Sequence, residues 1–303
     1  MKNMLPLIVL STLFIPAVRL SADDEAEIAG KTGDATDRAE VERRFARKYF
    51  LSESQVLRHI PVPAGDKLRQ QWLDTIFPDR GTTRPPTTLY LIWKNGKPNW
   101  HGGTFGGQRG VRLKSLLPML RLVSKPWIDG DEQLLEMLIE GDWLIAADAD
   151  RNEALAAIER VLRDHWKKPV RLQFRTVERD VCVVRGNWDF HPISDKFPNV
   201  QIYGDYIRED SGAGGGSGDF KTFLTAVGSW IELPVIDEAG SGPEDEISWR
   251  FHAASPFTDE ELKRAHDPGQ VTTNLMIQTG LQFEKETRPC EILFVTLEPE
   301  TDK

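Results

Sequence analysis

Cysteine, long apolar segments and positive charge are all scarce in this sequence of 303 residues. With only Cys182 and Cys290, the chain has no disulfide framework, so its stability must come from a hydrophobic core. Beyond the N-terminus, no segment has the roughly 18 consecutive apolar residues that a membrane span needs. The 38 basic residues are outnumbered by 47 acidic ones, which gives a net charge of -9 without a basic stripe and argues against a nucleic-acid-binding protein.

The composition is that of a folded protein. With 40% hydrophobic and 28% charged residues, the chain can bury at least one core and is expected to form two units or more. Both cysteines lie in strand-like apolar runs, at 181–184 and 290–294. This position favours two buried, unreactive thiols, although a bond between them stays open.

The N-terminus has the pattern of an export signal. Lys2 precedes an apolar run over residues 4–18, and Leu20-Ser21-Ala22 before Asp23 is typical of a small-residue cleavage site. We therefore interpret residues 1–22 as a signal peptide cleaved near Ala22. The mature chain is expected to be periplasmic or secreted and to lack a membrane span.

Short helices and a hairpin are predicted next. Apolar residues recur at four-residue spacing at Val41, Phe45 and Tyr49, and again in the segment 68–76, so each set covers one helix face. Residues 87–93 are rich in β-branched and aromatic residues, and Asn95-Gly96 follows them, which predicts a strand and a tight hairpin.

From residue 110 onward the sequence has a similar pattern twice. The offset is 108 residues from Pro126 to Pro234, 106 from Trp143 to Trp249, and 109 from Leu172-Gln173-Phe174 to Leu281-Gln282-Phe283 and from Arg179 to Arg288. We interpret this as an internal repeat of two related α+β subdomains. Each has the order helix, strand, strand, helix, strand, strand, and both follow a helical N-terminal region.

The expected organisation of the chain follows from these patterns. We assign residues 1–22 to the signal, 23–86 to a charged lead with short helices, 87–186 to the first subdomain with its leading hairpin, 187–298 to the second, and 299–303 to a tail. The second subdomain includes a Gly-rich segment at 211–218 that is expected to be a flexible loop, and Asp219 is expected to cap the helix after it.

Two motifs resemble ligand loops but fit structural roles better. The Gly-rich segment has Ser217 where a dinucleotide fingerprint needs its last glycine, and no lysine for a phosphate loop. Asp148, Asp150, Asn152 and Glu159 imitate a calcium loop, but Glu153 replaces the turn glycine. Asp150 and Glu153 instead favour a helix start. No cofactor and no metal ligand set is therefore predicted.

No catalytic motif is present. The histidines are scattered without the zinc-protease spacing, no nucleophile elbow surrounds a serine, and neither cysteine has a nucleophile context. A zinc site assembled from distant residues stays open. The equivalent positions of Trp143 and Trp249 in the repeat favour a core role for both, whereas other tryptophans could form a binding patch.

The motifs at 233–237 and 279–295 carry a family resemblance. Leu-Pro-Val-Ile-Asp, and Thr-Gly-Leu-Gln-Phe followed by a charged turn and an apolar strand, look like exported soil-associated bacterial proteins of unknown function. The resemblance covers about residues 110–298 and includes the segment 158–184. This chain departs from the family pattern at 238–246. The helix-and-strand units are also similar in fold to the short N-terminal domains of secretins and TonB-dependent receptors. The resemblance implies an interaction module and supplies no catalytic residues.

The leading functional hypothesis is thus an exported, non-enzymatic binding or interaction module whose partner is an envelope or extracellular protein or a glycan. A secreted hydrolase is the first alternative, with Asp129 or His101 in a deep polar pocket beside another acid or histidine. A carbohydrate-binding protein with exposed tryptophans is the second. The sequence leaves the oligomeric state open.

Overall fold

The computed structural model describes residues 32–52, 54–61, 66–76, 88–95, 97–104, 110–205, 214–252 and 258–298. Within these ranges the chain has an α+β fold with a helix at its N-terminal side. The predicted signal peptide, the predicted tail and part of the Gly-rich segment lie outside the described residues.

The helices are interspersed with the strands along the described chain. They are α1 (Thr32–Lys48), α2 (Lys67–Ile76), α3 (Leu113–Met119), α4 (Glu132–Leu135), α5 (Arg151–Trp166), α6 (Phe220–Ile231), α7 (Asp259–Ala265) and α8 (Pro268–Thr279), with a 3-10 turn at Lys125–Trp127.

The strands range from two to 16 residues. They are β1 (Leu57–Ile60), β2 (Thr88–Lys94), β3 (Lys97–Thr104), β4 (Val111–Arg112), β5 (Ile128–Gly130), β6 (Leu138–Ile139), β7 (Asp142–Ala146), β8 (Val170–Arg185), β9 (Val200–Ile202), β10 (Gly215–Gly218), β11 (Val235–Asp237), β12 (Ile247–Phe251) and β13 (Gln282–Leu297).

The described residues divide into two compact units. We call the first the contiguous unit, because it runs from Arg179 to Arg288 without interruption. The second, the split unit, takes residues up to Glu178 and those from Pro289 onward. The divisions thus fall inside β8 and β13, whereas the sequence suggests a boundary at 186/187.

The split unit contains a four-stranded sheet in the order β1-β7-β2-β3. Its central strand β7 is antiparallel to β1 and parallel to β2, with Trp143 opposite both His59 and Tyr90. After Asp142 the rest of β7 is apolar, and Trp143 is fully buried. The predicted hairpin is confirmed, since β2 and β3 pair across a two-residue turn in which Asn95 has a φ of 53°.

The contiguous unit contains a three-stranded sheet in the order β10-β12-β9. Its central strand β12 is antiparallel to β10 and parallel to β9, with Trp249 opposite both Gly216 and Val200. The prediction of a loop over 211–218 is wrong for 215–218, which form β10. A Cβ on Gly216 would lie 2.8 Å from the Trp249 ring, so glycine lets the indole cover this strand.

Strands β8 and β13 are hydrogen-bonded neighbours of 16 residues each. Where the sequence predicts two closing strands per subdomain, the structure has one long strand. The middle of β8 is polar and has exposed and half-buried residues, so it resembles a turn in sequence. A strand held by backbone hydrogen bonds does not need apolar side chains at every position, so a polar segment of this kind can be extended.

Two predicted helix caps are confirmed. The Asp150 carboxylate accepts hydrogen bonds from the backbone N–H groups of Asn152 and Glu153 at the start of α5. The Asp219 carboxylate accepts from Thr222 N–H at the start of α6. Glu159, which would close a calcium loop, is a helical residue whose carboxylate accepts from Leu172 N–H. The favoured helix start therefore replaces the calcium loop.

Packing agrees with the apolar periodicity. Val41 and Phe45 of α1 and Tyr49 directly after it are buried, and Trp72 stacks on Phe45 at 3.9 Å between ring centroids. Trp143 and Trp249 are both core residues, as the repeat predicts. Each unit has its own buried apolar residues; those of the contiguous unit include Val184, Val200, Ile202, Phe223, Val227, Ile247, Val271 and Leu275.

Both cysteines are buried, and neither forms a disulfide bond. Burial raises the pKa of the Cys182 thiol to about 11. The favoured interpretation of two buried thiols thus agrees with the structure. Among the described helices, none is both long and apolar enough to cross a membrane.

Candidate functional site

The candidate site in the split unit surrounds His59. This residue lies on the outer strand β1, opposite Trp143 of β7. The imidazole Nε2 lies 2.9 Å from the carbonyl oxygen of Glu140. A carbonyl oxygen can only accept, so Nε2 carries the hydrogen and Nδ1 carries a lone pair. Within the described residues, the buried Nδ1 has no hydrogen-bond partner.

The turn before β7 is shaped around this imidazole. Gly141 has a φ of 95°, a conformation that L side chains rarely adopt. A Cβ at Gly141 would lie 2.3 Å from His59 Nε2 and 2.8 Å from the carbonyl oxygen of Ile60. Glycine at this turn is therefore what lets the imidazole approach the Glu140 carbonyl.

Three further rings surround His59, and together the four form the His59 cluster. The centroid of the His59 ring lies 4.7 Å from Trp143, 4.8 Å from His165 and 5.1 Å from Trp166. His165 and Trp166 come from the last turn of α5, where His165 is exposed. The Trp143 indole N–H is buried and, in the described part of the chain, without an acceptor.

The electrostatics of the cluster keep His59 neutral. Burial lowers the pKa of His59 because it disfavours the charged imidazolium, and nearby His165 lowers it further. The Glu140 carbonyl and Asp142 act in the opposite direction and raise the pKa, but they do not outweigh burial. A neutral imidazole with a bare nitrogen can accept a hydrogen bond, take up a proton or bind a metal ion.

A buried ion pair lies next to this cluster in sequence and in the sheet. The fully buried Asp142 carboxylate accepts from Arg69 through two hydrogen bonds of 2.8 and 3.0 Å, from the Tyr49 hydroxyl at 2.8 Å and from Leu89 N–H at 2.8 Å. Burial and the neighbouring Asp142 charge raise the pKa of Tyr49. With four donors bound, the Asp142 carboxylate joins α2 and the residue after α1 to the sheet.

The contiguous unit has a buried polar group of a different kind. Gln201 and Gln278 exchange hydrogen bonds, since Gln278 Oε1 accepts from Gln201 N–H at 2.9 Å and Gln278 Nε2 donates to Gln201 O at 2.8 Å. The Gln201 side chain also contacts His252, which is buried. These contacts join α8 to β9 through neutral groups.

Sequence reasoning singled out other residues than those in the His59 cluster. Asp129 lies in β5, where its carboxylate accepts from Gly130 N–H at 2.7 Å, and the side chain of His101 lies outside the described part. The tryptophans whose side chains are described are all buried or half-buried. Over the described ranges, no three histidine, cysteine or carboxylate side chains form a group suited to a metal ion.

The sequence carries little signal for the cluster itself. His59 and His165 are 106 residues apart, and neither belongs to a recognised motif. The two imidazole rings become neighbours only in the folded chain, because β1 pairs with β7 and α5 packs beside them.

In comparisons with known proteins, the chain matches no family model, no curated protein and no solved structure at a significant level. The class that its architecture defines is an α+β protein of two units. The resemblance to an exported soil-associated family stays a prediction.

Proposed function

We propose that this chain is an exported, non-catalytic interaction module that binds an extended peptide segment of an envelope or extracellular protein. A non-catalytic role is supported by the carboxylates of Asp142 and Glu159, both of which belong to buried residues. Asp142 binds four donors, and Glu159 binds Leu172 N–H at 2.6 Å and Arg171 at 3.3 Å. Side chains saturated in this way hold the fold together and are not available to a substrate.

The observation that carries the binding mode is the position of β10. It is an outer strand of the described sheet, paired with β12 along one edge and packed beside α6. Protein sheets commonly protect such edges with charges or proline, but β10 has the sequence Gly-Gly-Ser-Gly. Its small residues let another backbone approach closely, so an incoming extended segment can add a strand there.

A linear heptapeptide library displayed on phage tests this mode with the mature chain. Ser217 is the exposed residue of β10, and Ser217→Lys adds the kind of charge that protects natural edges. Ser248 lies directly opposite on the central strand and is also exposed, so Ser248→Lys is the matched control. We expect selected peptides to lose at least about tenfold in affinity with Ser217→Lys and to keep their affinity with Ser248→Lys.

Three outcomes contradict this proposal. Selected peptides that bind both variants equally would place the site elsewhere. A library that yields no binder, together with a glycan array that does, would favour the carbohydrate alternative. Turnover of a substrate that one point substitution abolishes would show an enzyme.

Export and duplication belong to the same proposal. Export is tested by N-terminal sequencing of the protein recovered from its native host, with a chain beginning near Asp23 as the expected result. Duplication is supported by register: Ile128 pairs in parallel with Leu293 in the split unit, and Asp237 with Val184 in the contiguous unit. Ile128 and Asp237 are 109 residues apart, and so are Val184 and Leu293; this is the offset of the predicted repeat.

A further inference from the structure

His59 has the hydrogen-bonding state of a metal-binding histidine. Histidines that bind metal ions typically donate their other ring N–H to a carbonyl or carboxylate, which fixes the tautomer and aims the free nitrogen. Here Nε2 donates to Glu140 O at 2.9 Å, and the lone pair of Nδ1 is buried with no partner in the described chain. The orienting contact is therefore already present.

A second imidazole lies at a suitable separation. A zinc ion lies about 2.1 Å from an imidazole nitrogen, hence about 3.2 Å from the ring centre, so two rings on one tetrahedral ion have centres about 5.2 Å apart. The His59 and His165 centroids are 4.8 Å apart with an interplanar angle of 69°. His165 is exposed, so its ring can turn towards Nδ1 without disturbing the core.

The buried indole of Trp143 provides an independent observation. Its N–H also lacks an acceptor among the described residues, although the side chain is fully buried. An unpaired buried donor is costly, and ordered solvent usually satisfies such groups. A water molecule held on an ion at His59 would supply the missing oxygen.

We propose that His59 Nδ1 and His165 together bind one divalent transition-metal ion, with water in its other coordination positions. Imidazole ligands suit Cu²⁺, Ni²⁺ and Zn²⁺, and affinity generally follows the order in which Cu²⁺ binds most tightly. With only two protein ligands, the ion is exchangeable and leaves positions open for an outside ligand. The site lies in the split unit, apart in sequence from the β10 edge proposed for peptide binding.

The experiment uses the untagged mature chain, freed of metal by a chelator and then titrated with Cu²⁺, Ni²⁺ or Zn²⁺. Cu²⁺ bound next to Trp143 and Trp166 should quench their fluorescence in a saturable way that excess chelator reverses. In parallel, each ion should raise the thermal midpoint, because a ligand that binds only the native state stabilises it. Mg²⁺, which prefers oxygen ligands, should do neither.

Substitutions assign the site. Since His165 is exposed, His165→Ala should fold normally and weaken the apparent affinity at least about tenfold. The matched control is His191→Ala in the contiguous unit, an exposed imidazole 3.1 Å from Asp189 Oδ2, which should leave the titration unchanged. The proposal is overturned if no saturable response occurs, if the response survives His165→Ala, or if His101→Ala abolishes it instead.

Discussion

Trp143 and Trp249 occupy matching places in the two units, and their neighbours differ. Each tryptophan lies on a central strand with an antiparallel strand on one side and a parallel strand on the other. Opposite Trp249 the antiparallel strand has Gly216, and the indole fills the space above it. Opposite Trp143 it has His59, whose ring occupies that space and contacts the indole.

The residues that precede the two tryptophans also differ in burial and charge. Asp142 is fully buried and charged, whereas Ser248 is exposed. The space beside the tryptophan is thus filled by the indole over a glycine in the contiguous unit, and by an imidazole next to a buried ion pair in the split unit. A shared backbone arrangement does not dictate which unit carries polar chemistry, so function has to be sought where the side chains depart from simple packing.

The largest expected effect comes from removing the buried carboxylate of Asp142 in the split unit. Asp142→Ala leaves the Arg69 guanidinium buried without its counter-ion and the Tyr49 hydroxyl without its acceptor, so we expect a loss of about 3–5 kcal/mol in unfolding free energy. Ser248→Ala, the matching change, should stay within about 0.5 kcal/mol. Denaturant unfolding followed by circular dichroism measures both. A loss below about 1 kcal/mol for Asp142→Ala would contradict the structural role.

Filling the space beneath Trp249 is expected to have the next largest effect. The Cβ of Gly216→Ala would lie 2.8 Å from the indole Cζ2, so the ring must shift, at a cost of about 1–3 kcal/mol. Ser217→Ala in the same strand is the control, because Ser217 is exposed. Denaturant midpoints compare the two variants. Equal midpoints would show that the contiguous unit does not depend on this contact.

Acidification should affect the split unit through His59. Its folded-state pKa is lowered, so the unfolded chain binds more protons below the ordinary value of about 6.5. Stability is therefore complete above that pH and falls as the pH decreases towards the folded-state pKa. One proton gives a slope of at most about 1.4 kcal/mol per pH unit.

The measurement is the thermal midpoint in chelator at pH 7.5 and 5.5, for the unmodified chain and for His59→Gln. We expect the unmodified chain to lose more stability between the two pH values, because glutamine does not titrate. An equal loss in both proteins would assign the acid sensitivity to other groups.

The smallest expected effect concerns the neighbour of His59. His165 helps to lower the pKa of His59, so His165→Gln should bring that pKa closer to its ordinary value. Acidification then destabilises the variant slightly less than the unmodified chain. Nuclear magnetic resonance titration of the His59 ring protons measures this pKa directly. A His59 pKa in His165→Gln that is unchanged or lower would contradict the prediction.

The sequence predicted what local patterns determine. The caps at Asp150 and Asp219, the Asn95-Gly96 hairpin and the burial of Trp143 and Trp249 follow from spacing, turn chemistry and matching positions in the predicted repeat. It did not predict strand β10, because four small residues have low strand propensity and gain their place from pairing with β12 and from the Trp249 ring.

The His59 cluster could not be read from the sequence for a related reason. A lone histidine in a short strand, and another near a helix end, are ordinary residues until β1 and α5 pack next to each other and to Trp143. The Arg69–Asp142 pair was missed in the same way, because 73 residues separate its members.

The chain path of the split unit has a consequence for biosynthesis. Its core includes Leu293 and Val295 from the end of β13, both fully buried, while most of the unit lies before residue 179. A chain made from N- to C-terminus therefore finishes the contiguous unit before the split one. A premature stop that removes only the last residues of β13, including Leu293 and Val295, would leave the split unit without part of its core. The stability of the split unit, most of which is synthesised first, thus depends on synthesis of β13.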